Sequence, residues 1–458
     1  MRTDALVVLD FDGTLVDLNL PREWLKSNVG RLLADAGAQN SLVPFLPGIE
    51  EALVAVSRRN AQEAEELRTK IFALITEADV RGARESSAVP GVREFLGGLR
   101  GRRILLYSNN CREAVREGLR RAGLAEELFW RMVTREEERS LKPSGRPILE
   151  AMDELGTSAP EEVFVIGDHP YDILSAVEAQ ALLGDRARVV PVGRYRDRHR
   201  ARNLETAGAW FLIRDLEEAL PLLTTEPRSE AVSLVLLAYN EEKAVAAAVE
   251  DAQRFLSLYA PNFEVLVVDD GSRDGTATIL ESLARPRLRV ITHARNEGMG
   301  TSARDGYRAA QGEYLAHLPG DRQVRSQSLI HFLPAMAPRT VVLSTYENPP
   351  SGLRRQLISR IFRGMVRWVA GLNVDFAGTY LFHRDLLNEV NWDRAASDTF
   401  VFSFELLEAF QKSGCSFERV RIRTYPREDG GSREDSLRRI GKVFWELIRS
   451  RIRSVRHG

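Results

Sequence analysis

Short apolar runs recur along the chain and alternate with longer segments of helical periodicity. The first half contains four strand-like runs, at residues 5–10, 103–107, 162–166 and 188–192. The second half contains five, at residues 232–238, 263–268, 288–292, 313–317 and 340–344. Strands that alternate with helices predict parallel sheets whose crossover helices cover both faces. The pattern therefore predicts an α/β protein with two doubly wound domains.

Two stretches interrupt this alternation. Residues 17–88 are mostly helical in pattern and contain no strand-like run, so we expect a helical cap inserted into the first domain. Residues 226–231 are polar and separate the two series of strands, as expected for a linker. We therefore predict a first domain over residues 1–225 and a second over residues 232–436.

Composition and charge narrow the class of protein. Of the 458 residues, 44% are hydrophobic and 28% charged, which is typical of a globular protein, and the net charge of -1 gives no electrostatic attraction to nucleic acid. The two cysteines, Cys111 and Cys415, have no metal-ligand spacing and fit a reducing cytoplasm. No apolar run approaches the ~18–20 residues that span a bilayer, and the N-terminus runs into a strand without a signal peptide. We expect a cytoplasmic, soluble or peripheral protein.

Reactive side chains follow strands or open helices in the first half. They are Asp10, Asp12, Ser108, Lys142, Asp168 and Asp172. Because the carboxyl ends of parallel strands share one edge of a sheet, we expect these side chains to meet there. Carboxylates, a hydroxyl and an ammonium group supply a nucleophile, an acid, ligands for Mg²⁺ and partners for phosphoryl oxygens. The set indicates phosphoryl transfer.

This motif set resembles that of the haloacid dehalogenase superfamily of phosphatases, over roughly residues 4–220. The resemblance implies a Rossmann-like domain with a cap that selects a phosphorylated small molecule. It implies that Asp10 is the nucleophile, forming an aspartyl-phosphate, and that Asp12 is the general acid and base. Ser108 and Lys142 would hold the phosphoryl group. The Mg²⁺ ligands would be Asp10, Asp12, Asp168 and Asp172.

Acidic and glycine-rich segments follow the strands of the second half. They are Tyr239-Asn-Glu-Glu242, Asp269-Asp-Gly-Ser-Arg-Asp274 and His293-Ala-Arg-Asn-Glu-Gly-Met-Gly300. Acidic side chains at strand ends suit a base, a ribose and a metal ion, and glycines let the backbone approach a diphosphate. The pattern favours binding of a nucleotide.

These segments resemble the family 2 glycosyltransferases of GT-A fold, and in particular the dolichol-phosphate mannose synthase branch, which transfers a sugar to a polyprenyl phosphate. The resemblance implies contacts to a nucleotide-sugar donor from eight residues: Tyr239, Glu241, Asp269, Asp270, Asn296, Gly298, Asp321 and Arg427. It also implies that Asp321 and Gln323 bind Mg²⁺ or Mn²⁺. The sequence departs from the family pattern at Pro319, which stands where the first carboxylate of the metal motif is expected.

A third group of residues points to the acceptor. Arg355 and Ser359 lie four apart, on one face of a predicted helix, and resemble the pair that holds the acceptor phosphate in this branch. Three alternatives stay open. The chain is a bifunctional phosphatase and polyprenyl-phosphate glycosyltransferase, or its transferase uses a soluble or glycan acceptor, or the second half is a non-catalytic module that binds nucleotide or lipid.

Two basic segments bear on membrane contact. Residues 437–458 place apolar side chains at helical spacing opposite a face rich in arginine, and residues 353–369 have a similar pattern. Basic amphipathic helices can lie on an anionic membrane surface, which for a cytoplasmic protein is the inner face of the membrane. They can also pack with their apolar side against their own domain. Both interpretations stay open at this point.

Overall fold

A computed structural model of the chain describes residues 5–38, 42, 45–137, 141–283, 285–347, 378–425 and 445–446. The chain divides into two units, residues 1–224 and 225–458. Within the described ranges, no helix combines the length and apolar character that crossing a membrane requires. The basic segments predicted at residues 353–369 and 437–458 lie outside these ranges, except for residues 445–446.

The part of the first unit that the structure describes contains eight strands. They are β1 (Leu6–Leu9), β2 (Val16–Asp17), β3 (Ser87–Ala88), β4 (Arg103–Tyr107), β5 (Arg131–Val133), β6 (Glu162–Gly167), β7 (Arg188–Arg194) and β8 (Phe211–Ile213). Six of them form a wholly parallel sheet in the order β5-β4-β1-β6-β7-β8. The four predicted strands are present in this sheet. The short edge strands β5 and β8 were not predicted, because three apolar or mixed residues give no clear period.

Nine α-helices accompany these strands in the described residues of the first unit. They are α1 (Arg22–Asp35), α2 (Phe45–Ser57), α3 (Ala61–Arg84), α4 (Val92–Gly98), α5 (Arg112–Ala122), α6 (Arg146–Leu155), α7 (Pro170–Leu183), α8 (Arg198–Ala207) and α9 (Ala219–Thr224). Short 3-10 turns occur at Glu126–Leu128, Arg135–Glu137, Gly156–Ser158, Gly184–Arg186 and Leu216–Glu218. The buried strands β1, β4 and β6 form the centre of the core.

Helices α1, α2 and α3 form the predicted cap. Helix α3 begins at Asn60, whose side chain accepts hydrogen bonds from two backbone N–H groups of its first turn. Its buried residues recur at helical spacing and pack with α1 and α2 in a separate apolar core. Strands β2 and β3 pair antiparallel and bring the two ends of the cap together. Sequence analysis missed this pairing because each strand has only two residues.

The described ranges of the second unit form a mixed sheet of seven strands. They are β9 (Val232–Ala238), β10 (Phe263–Asp269), β11 (Leu288–Thr292), β12 (Tyr314–Pro319), β13 (Thr340–Tyr346), β14 (Tyr380–His383) and β15 (Ser416–Ile422). Their order is β11-β10-β9-β12-β14-β13-β15. The five predicted strands are present. The sheet is mixed because β14 lies antiparallel between β12 and β13.

The described helices of this unit cover the sheet. They are α10 (Val245–Tyr259), α11 (Thr276–Ser282), α12 (Met299–Ala309) and α13 (Val401–Lys412). Further 3-10 turns lie at Ser326–His331, Leu333–Ala335 and Arg384–Glu389. In each unit the chain changes direction beside its first strand: β1 lies between β4 and β6, and β9 lies between β10 and β12. Such a reversal opens a crevice at the carboxyl ends of the strands, where α/β proteins bind ligands.

Candidate active sites

A buried ammonium group joins two carboxylates in the crevice of the first unit. Lys142 Nζ donates to Asp10 Oδ1 at 2.6 Å and to Asp172 Oδ1 at 2.7 Å. The side chains of Lys142, Asp10 and Asp172 are only 5%, 11% and 3% exposed. Burial alone would lower the pKa of Lys142, but the two carboxylates outweigh it and raise the pKa above its ordinary value. Lys142 is therefore a fixed positive charge beside Asp10.

Three carboxylates converge at the same edge of the sheet. One oxygen from each of Asp10, Asp168 and Asp172 lies within 4.8 Å of the others. Burial, and then the nearby Asp172, raises the pKa of Asp10 well above its usual range, and burial raises the pKa of Asp168 to about 6. Closely spaced, desolvated carboxylates fit a hard divalent cation such as Mg²⁺, which would neutralise them. Elsewhere in the described residues no other three His, Cys, Asp or Glu side chains meet this way.

Asp168 has two further neighbours that fix its position. Arg200 Nη1, from α8, donates to Asp168 Oδ2 at 2.8 Å. On the other side is Gly13, which has a φ of +85° and whose missing Cβ would collide with the Asp168 carboxylate. A side chain at position 13 would therefore displace the carboxylate cluster. Sequence analysis did not identify Arg200, because nothing in the sequence around α8 indicates contact with this site.

Asp12 lies apart from this carboxylate group. Its Oδ1 accepts the Leu18 N–H at 2.9 Å, and its backbone bridges to Val16. Burial raises the pKa of Asp12 to about 7. A carboxyl group with such a pKa can both give and take a proton near neutral pH, as general acid–base catalysis requires. This environment suits the predicted role of Asp12 as acid and base better than its predicted role as a side-chain metal ligand.

The loop after β4 contains Ser108 and positions Lys142. Ser108 Oγ donates to Asn110 Oδ1 at 2.9 Å and accepts the Asn110 N–H at 3.1 Å. Asn109 Oδ1 accepts the Lys142 N–H at 2.8 Å, and Asn109 Nδ2 donates to the Lys142 carbonyl at 3.3 Å. The loop thus orients Ser108 and fixes the backbone of Lys142. Both asparagines act through these neighbours.

Helix α7 positions Asp172 at its own N-terminus. Asp172 Oδ2 accepts the His169 N–H at 2.9 Å, and His169 Nδ1 accepts the Tyr171 N–H at 3.2 Å, which together form a capping box. Burial lowers the pKa of His169 from its usual value, so its ring is neutral and can accept this bond. His169 therefore serves as the helix cap.

In the second unit, one predicted site residue carries a buried oxygen without a partner. Asp269 is fully buried at the end of β10, and its Oδ1 accepts the backbone N–H of Ser272 at 3.1 Å and the Ser272 hydroxyl. Asp269 Oδ2 is buried and accepts no hydrogen bond. Leaving such a group unpaired is unfavourable by about 1–3 kcal/mol, so a hydrogen bond to this oxygen would be stabilising.

The neighbouring carboxylate is saturated instead. Asp270 Oδ1 is in contact with His293 Nδ1 at 3.0 Å and accepts the Glu297 N–H at 2.8 Å. Asp270 Oδ2 accepts Asn296 Nδ2 at 2.8 Å and the Gly298 N–H at 2.9 Å. Four partners occupy the four lone-pair positions of this carboxylate. Asp270 therefore holds the loop before α12.

Two other segments fix the second crevice. Asn240 is a non-glycine residue with a positive φ of 55°, in the left-handed region. Its Oδ1 accepts the Arg273 N–H at 2.7 Å. Glu241 donates its backbone N–H to Thr276 Oγ1 at 2.8 Å. Tyr239 and Glu241 are both half-buried at the end of β9. The structure therefore brings the predicted residues after β9 and β10 to one edge.

The glycines before α12 serve packing within the unit. Gly298 has a φ of +101°, and a Cβ there would collide with the carbonyl oxygen of Asp398. The Gly300 N–H donates to the same carbonyl at 2.8 Å. The close approach that sequence analysis assigned to a diphosphate is thus made by residues 397–399 of this chain.

The predicted metal motif follows β12. Pro319 is the last residue of that strand, and Asp321 Oδ1 accepts the Gln323 N–H at 3.0 Å. Arg322 has a φ of 57°, and its guanidinium forms an ion pair with Asp251 of α10 at 2.9 Å. Asp321 is one carboxylate, and a cation there would need the donor's diphosphate as a further ligand.

Three predicted site residues, Arg355, Ser359 and Arg427, lie outside the described residues.

Comparison with known proteins assigns both units to families. The family model for haloacid dehalogenase-like hydrolases matches residues 5–180, and that for glycosyl transferase family 2 matches residues 233–397. The putative pyrophosphatase PpaX of Caldanaerobacter subterraneus is 30% identical over 175 residues, 38% of this chain and 77% of that protein.

The relatives of the second unit are matched over shorter stretches. The succinoglycan biosynthesis protein ExoO of Rhizobium meliloti is 37% identical over 98 residues, 21% of this chain and 27% of that protein. The dolichyl-phosphate beta-glucosyltransferase of Mus musculus is 32% identical over 114 residues, 23% of this chain and 35% of that protein. The chain therefore spans about a third of the length of these relatives. The predicted fold class is confirmed, and the chain belongs to the haloacid dehalogenase-like hydrolases through its first domain and joins to it a family 2 glycosyltransferase domain.

Proposed function

We propose that the chain is a bifunctional enzyme. Its first domain hydrolyses a phosphomonoester of a small molecule through an aspartyl-phosphate, and its second domain transfers a sugar from a nucleotide-sugar to a polyprenyl-phosphate acceptor. The observation that carries the first activity is the Lys142 ammonium between Asp10 and Asp172, with Asp168 completing a group of three carboxylates. The second activity rests on the unpartnered Asp269 oxygen and on the family match.

In the first step Asp10 is the nucleophile. Lys142 engages Asp10 Oδ1, and Oδ2 attacks phosphorus, forming the aspartyl-phosphate as the ester P–O bond breaks. Asp12 gives its proton to the leaving oxygen. In the second step Asp12 takes a proton from water, the water oxygen attacks phosphorus, and the acyl-phosphate P–O bond breaks to release phosphate and restore Asp10.

The other residues neutralise and orient the phosphoryl group. Lys142 Nζ would donate to its oxygens, and Ser108 would do so by turning its O–H from Asn110 Oδ1 to the phosphoryl group, since phosphoryl transfer depends mainly on positioning and charge neutralisation. Asp10, Asp168 and Asp172 would hold Mg²⁺, which, when bound, offsets negative charge on the phosphoryl group. Helices α1–α3 would bind the part of the substrate beyond the phosphoryl group and so select it, as the family resemblance implies for the cap.

In the second domain, Asp269 Oδ2 would accept a hydrogen bond from the nucleoside of the donor, and Tyr239 and Glu241 would complete that pocket. Asp270 would act by holding Asn296 and Gly298 in place. Asp321 and Gln323 would bind Mg²⁺ or Mn²⁺ together with the diphosphate. Arg427 would contact the donor, as the resemblance to the family implies.

The acceptor is proposed from resemblance and from the names of relatives. The Mus musculus relative is named for a dolichyl-phosphate acceptor and a glucosyl group. Arg355 and Ser359 would bind the acceptor phosphate, and the basic segments at residues 353–369 and 437–458 would hold the protein at an anionic membrane surface on the cytoplasmic side. The glucosyl name favours glucose over mannose as the sugar to test first.

A direct test presents the full chain with a panel of nucleotide-sugars, a short polyprenyl phosphate and Mg²⁺ or Mn²⁺. Lipid products are identified by mass. We expect one sugar to be added to the lipid phosphate, and we expect Asp321→Ala to abolish the addition while leaving phosphatase activity intact. Asp10→Asn is the matched control, which should abolish hydrolysis of phosphomonoesters and leave sugar transfer intact.

The outcomes separate the alternatives. Transfer to a soluble sugar or glycan, with no lipid product, would replace the polyprenyl-phosphate acceptor. Nucleotide binding without transfer to any acceptor, unchanged by either metal, would contradict catalysis by the second domain and indicate a binding module. Loss of both activities in Asp10→Asn would contradict two separate active sites.

A further inference from the structure

A buried network connects the cap to the groups that would bind the phosphoryl oxygens. Asp79 lies on α3, the last helix of the cap, and its carboxylate accepts from the loop after β4 and from Arg135 after β5. The Arg135 Nη1–Asp79 Oδ2 distance is 2.7 Å, and the two side chains are 8% and 5% exposed. A charge pair so thoroughly buried is retained only when its hydrogen bonds are well satisfied.

One branch of the network leads to Ser108. Asp79 Oδ1 accepts Asn110 Nδ2 at 3.2 Å, and Asp79 Oδ2 accepts the Cys111 N–H at 3.2 Å. Asn110 in turn accepts the Ser108 hydroxyl at 2.9 Å. The position of Ser108 Oγ is therefore set two hydrogen bonds away from the cap.

The other branch leads to Lys142. Arg135 Nη1 also donates to the Asn109 carbonyl at 3.3 Å, and Arg135 Nη2 donates to Thr76 Oγ1 of α3 at 2.7 Å. The side chain of Asn109 holds the backbone of Lys142 on both sides, at 2.8 and 3.3 Å. Thr76 and Asp79, one turn apart on α3, thus both bind Arg135, which in turn supports the loop after β4.

We propose that Asp79, through Arg135, is a positioning residue that makes the phosphoryl-binding geometry of Ser108 and Lys142 depend on the seating of the cap. The inference rests on the proposed phosphatase function. Neither Asp79 nor Arg135 touches the phosphoryl group. A cap seated as in this structure completes the site, and loss of the Asp79 contacts frees the loop that holds both groups.

The test compares Asp79→Asn with Asp153→Asn in the full chain. Asp153 pairs with Arg186 on the surface, with both side chains more than half exposed, so the second variant makes the same chemical change without this network. We expect Asp79→Asn to lower kcat for p-nitrophenyl phosphate roughly tenfold to a hundredfold, because small displacements of catalytic groups have effects of this size. Asp153→Asn should behave as the wild type.

Inhibition by orthovanadate distinguishes positioning from partial unfolding. A merely structural defect lowers the fraction of active enzyme and leaves the inhibition constant unchanged, whereas displaced Ser108 and Lys142 weaken orthovanadate binding in every molecule. We expect the inhibition constant of Asp79→Asn to rise roughly tenfold. We also expect Arg135→Met to have a similar effect and the double variant to be no worse than either, because the two residues act as a unit.

Hydrogen–deuterium exchange of residues 108–111 gives a readout that does not depend on activity. Asp79→Asn should speed exchange in this segment, because the Cys111 N–H loses its carboxylate acceptor, while β6 exchanges as in the wild type. Unchanged exchange and an unchanged inhibition constant would overturn the inference. A wild-type enzyme that hydrolyses no phosphomonoester would overturn the proposed function instead, and the exchange experiment would still decide whether the cap holds the loop.

Discussion

Replacing Lys142 by Met removes the charge that balances the first site and keeps most of the length of the side chain. Its ammonium bonds two carboxylates at 2.6 and 2.7 Å, and all three side chains are at least 89% buried. Breaking a buried ion pair by removing one partner is typically unfavourable by about 3–5 kcal/mol, because the other charge stays desolvated. We expect a loss of this order in the free energy of unfolding of the first domain, measured without divalent metal.

The pH and the metal ion should each modulate this loss. Burial already raises the pKa of Asp10, and without the ammonium the carboxylate is further destabilised, so protonation will relieve part of the strain at low pH. The destabilisation by Lys142→Met should therefore be larger at pH 8 than at pH 5. Mg²⁺ supplies the missing positive charge, so it should stabilise the variant more than the wild type.

The assay is hydrogen–deuterium exchange of the β1 amides, Leu6–Leu9, which reports global opening of the first domain separately from the second. Arg186→Met is the matched control. It breaks the exposed pair with Asp153 at 2.6 Å and should change stability by less than about 1 kcal/mol. If Lys142→Met matched this control in metal-free buffer, Lys142 would not balance the carboxylates and the account of the site would be wrong.

Three further predictions concern single side chains. Asp12→Asn should release a stoichiometric burst of nitrophenol from p-nitrophenyl phosphate, whose leaving group needs no proton, and no burst of alcohol from an alkyl phosphate; equal bursts from the two substrates would exclude Asp12 as the acid. Burial lowers the pKa of His317 from 6.5 to about 4, so between these pH values the unfolded chain binds a proton that the folded chain does not. The contribution of His317 to the free energy of unfolding is therefore fully present above pH 6.5 and falls by about 3 kcal/mol as the pH drops to 4. Urea unfolding of His317→Gln should lack this slope, and an unchanged slope would contradict the assignment. Asp270→Asn should destabilise the second domain by about 3 kcal/mol and weaken nucleotide binding, because an amide cannot accept all the hydrogen bonds that the carboxylate accepts. A wild-type melting temperature by scanning calorimetry and a wild-type nucleotide affinity by titration calorimetry would refute this.

The sequence predicts the groups that lie at the ends of central strands. Asp10 and Asp168 meet because β1 and β6 are parallel neighbours, so their carboxyl ends share an edge. Apolar runs predicted all the strands next to β1 and β9. The same argument located Asp269, Asp270 and Asp321 at the second crevice.

Contacts between distant segments were not predictable in this way. Arg200 reaches Asp168 from α8, and Asp79 reaches the loop after β4 from the cap, and neither has a local signature in the sequence. Asp269 and Asp270 form one motif in sequence, yet one keeps a free oxygen and the other is saturated. Successive residues at a strand end point to opposite sides, and the local sequence does not reveal which of the two meets the loop before α12.

The central claim for the first domain is that Asp10 carries the phosphoryl group. The most direct measurement incubates Asp12→Asn with p-nitrophenyl phosphate and Mg²⁺, quenches in acid and identifies the modified peptide by mass. Without its base the intermediate should accumulate, and the account predicts one phosphoryl group on Asp10 and none in the Asp10→Asn, Asp12→Asn double variant. Release of nitrophenol with no phosphoryl group on Asp10, or with the group on another residue, would contradict it.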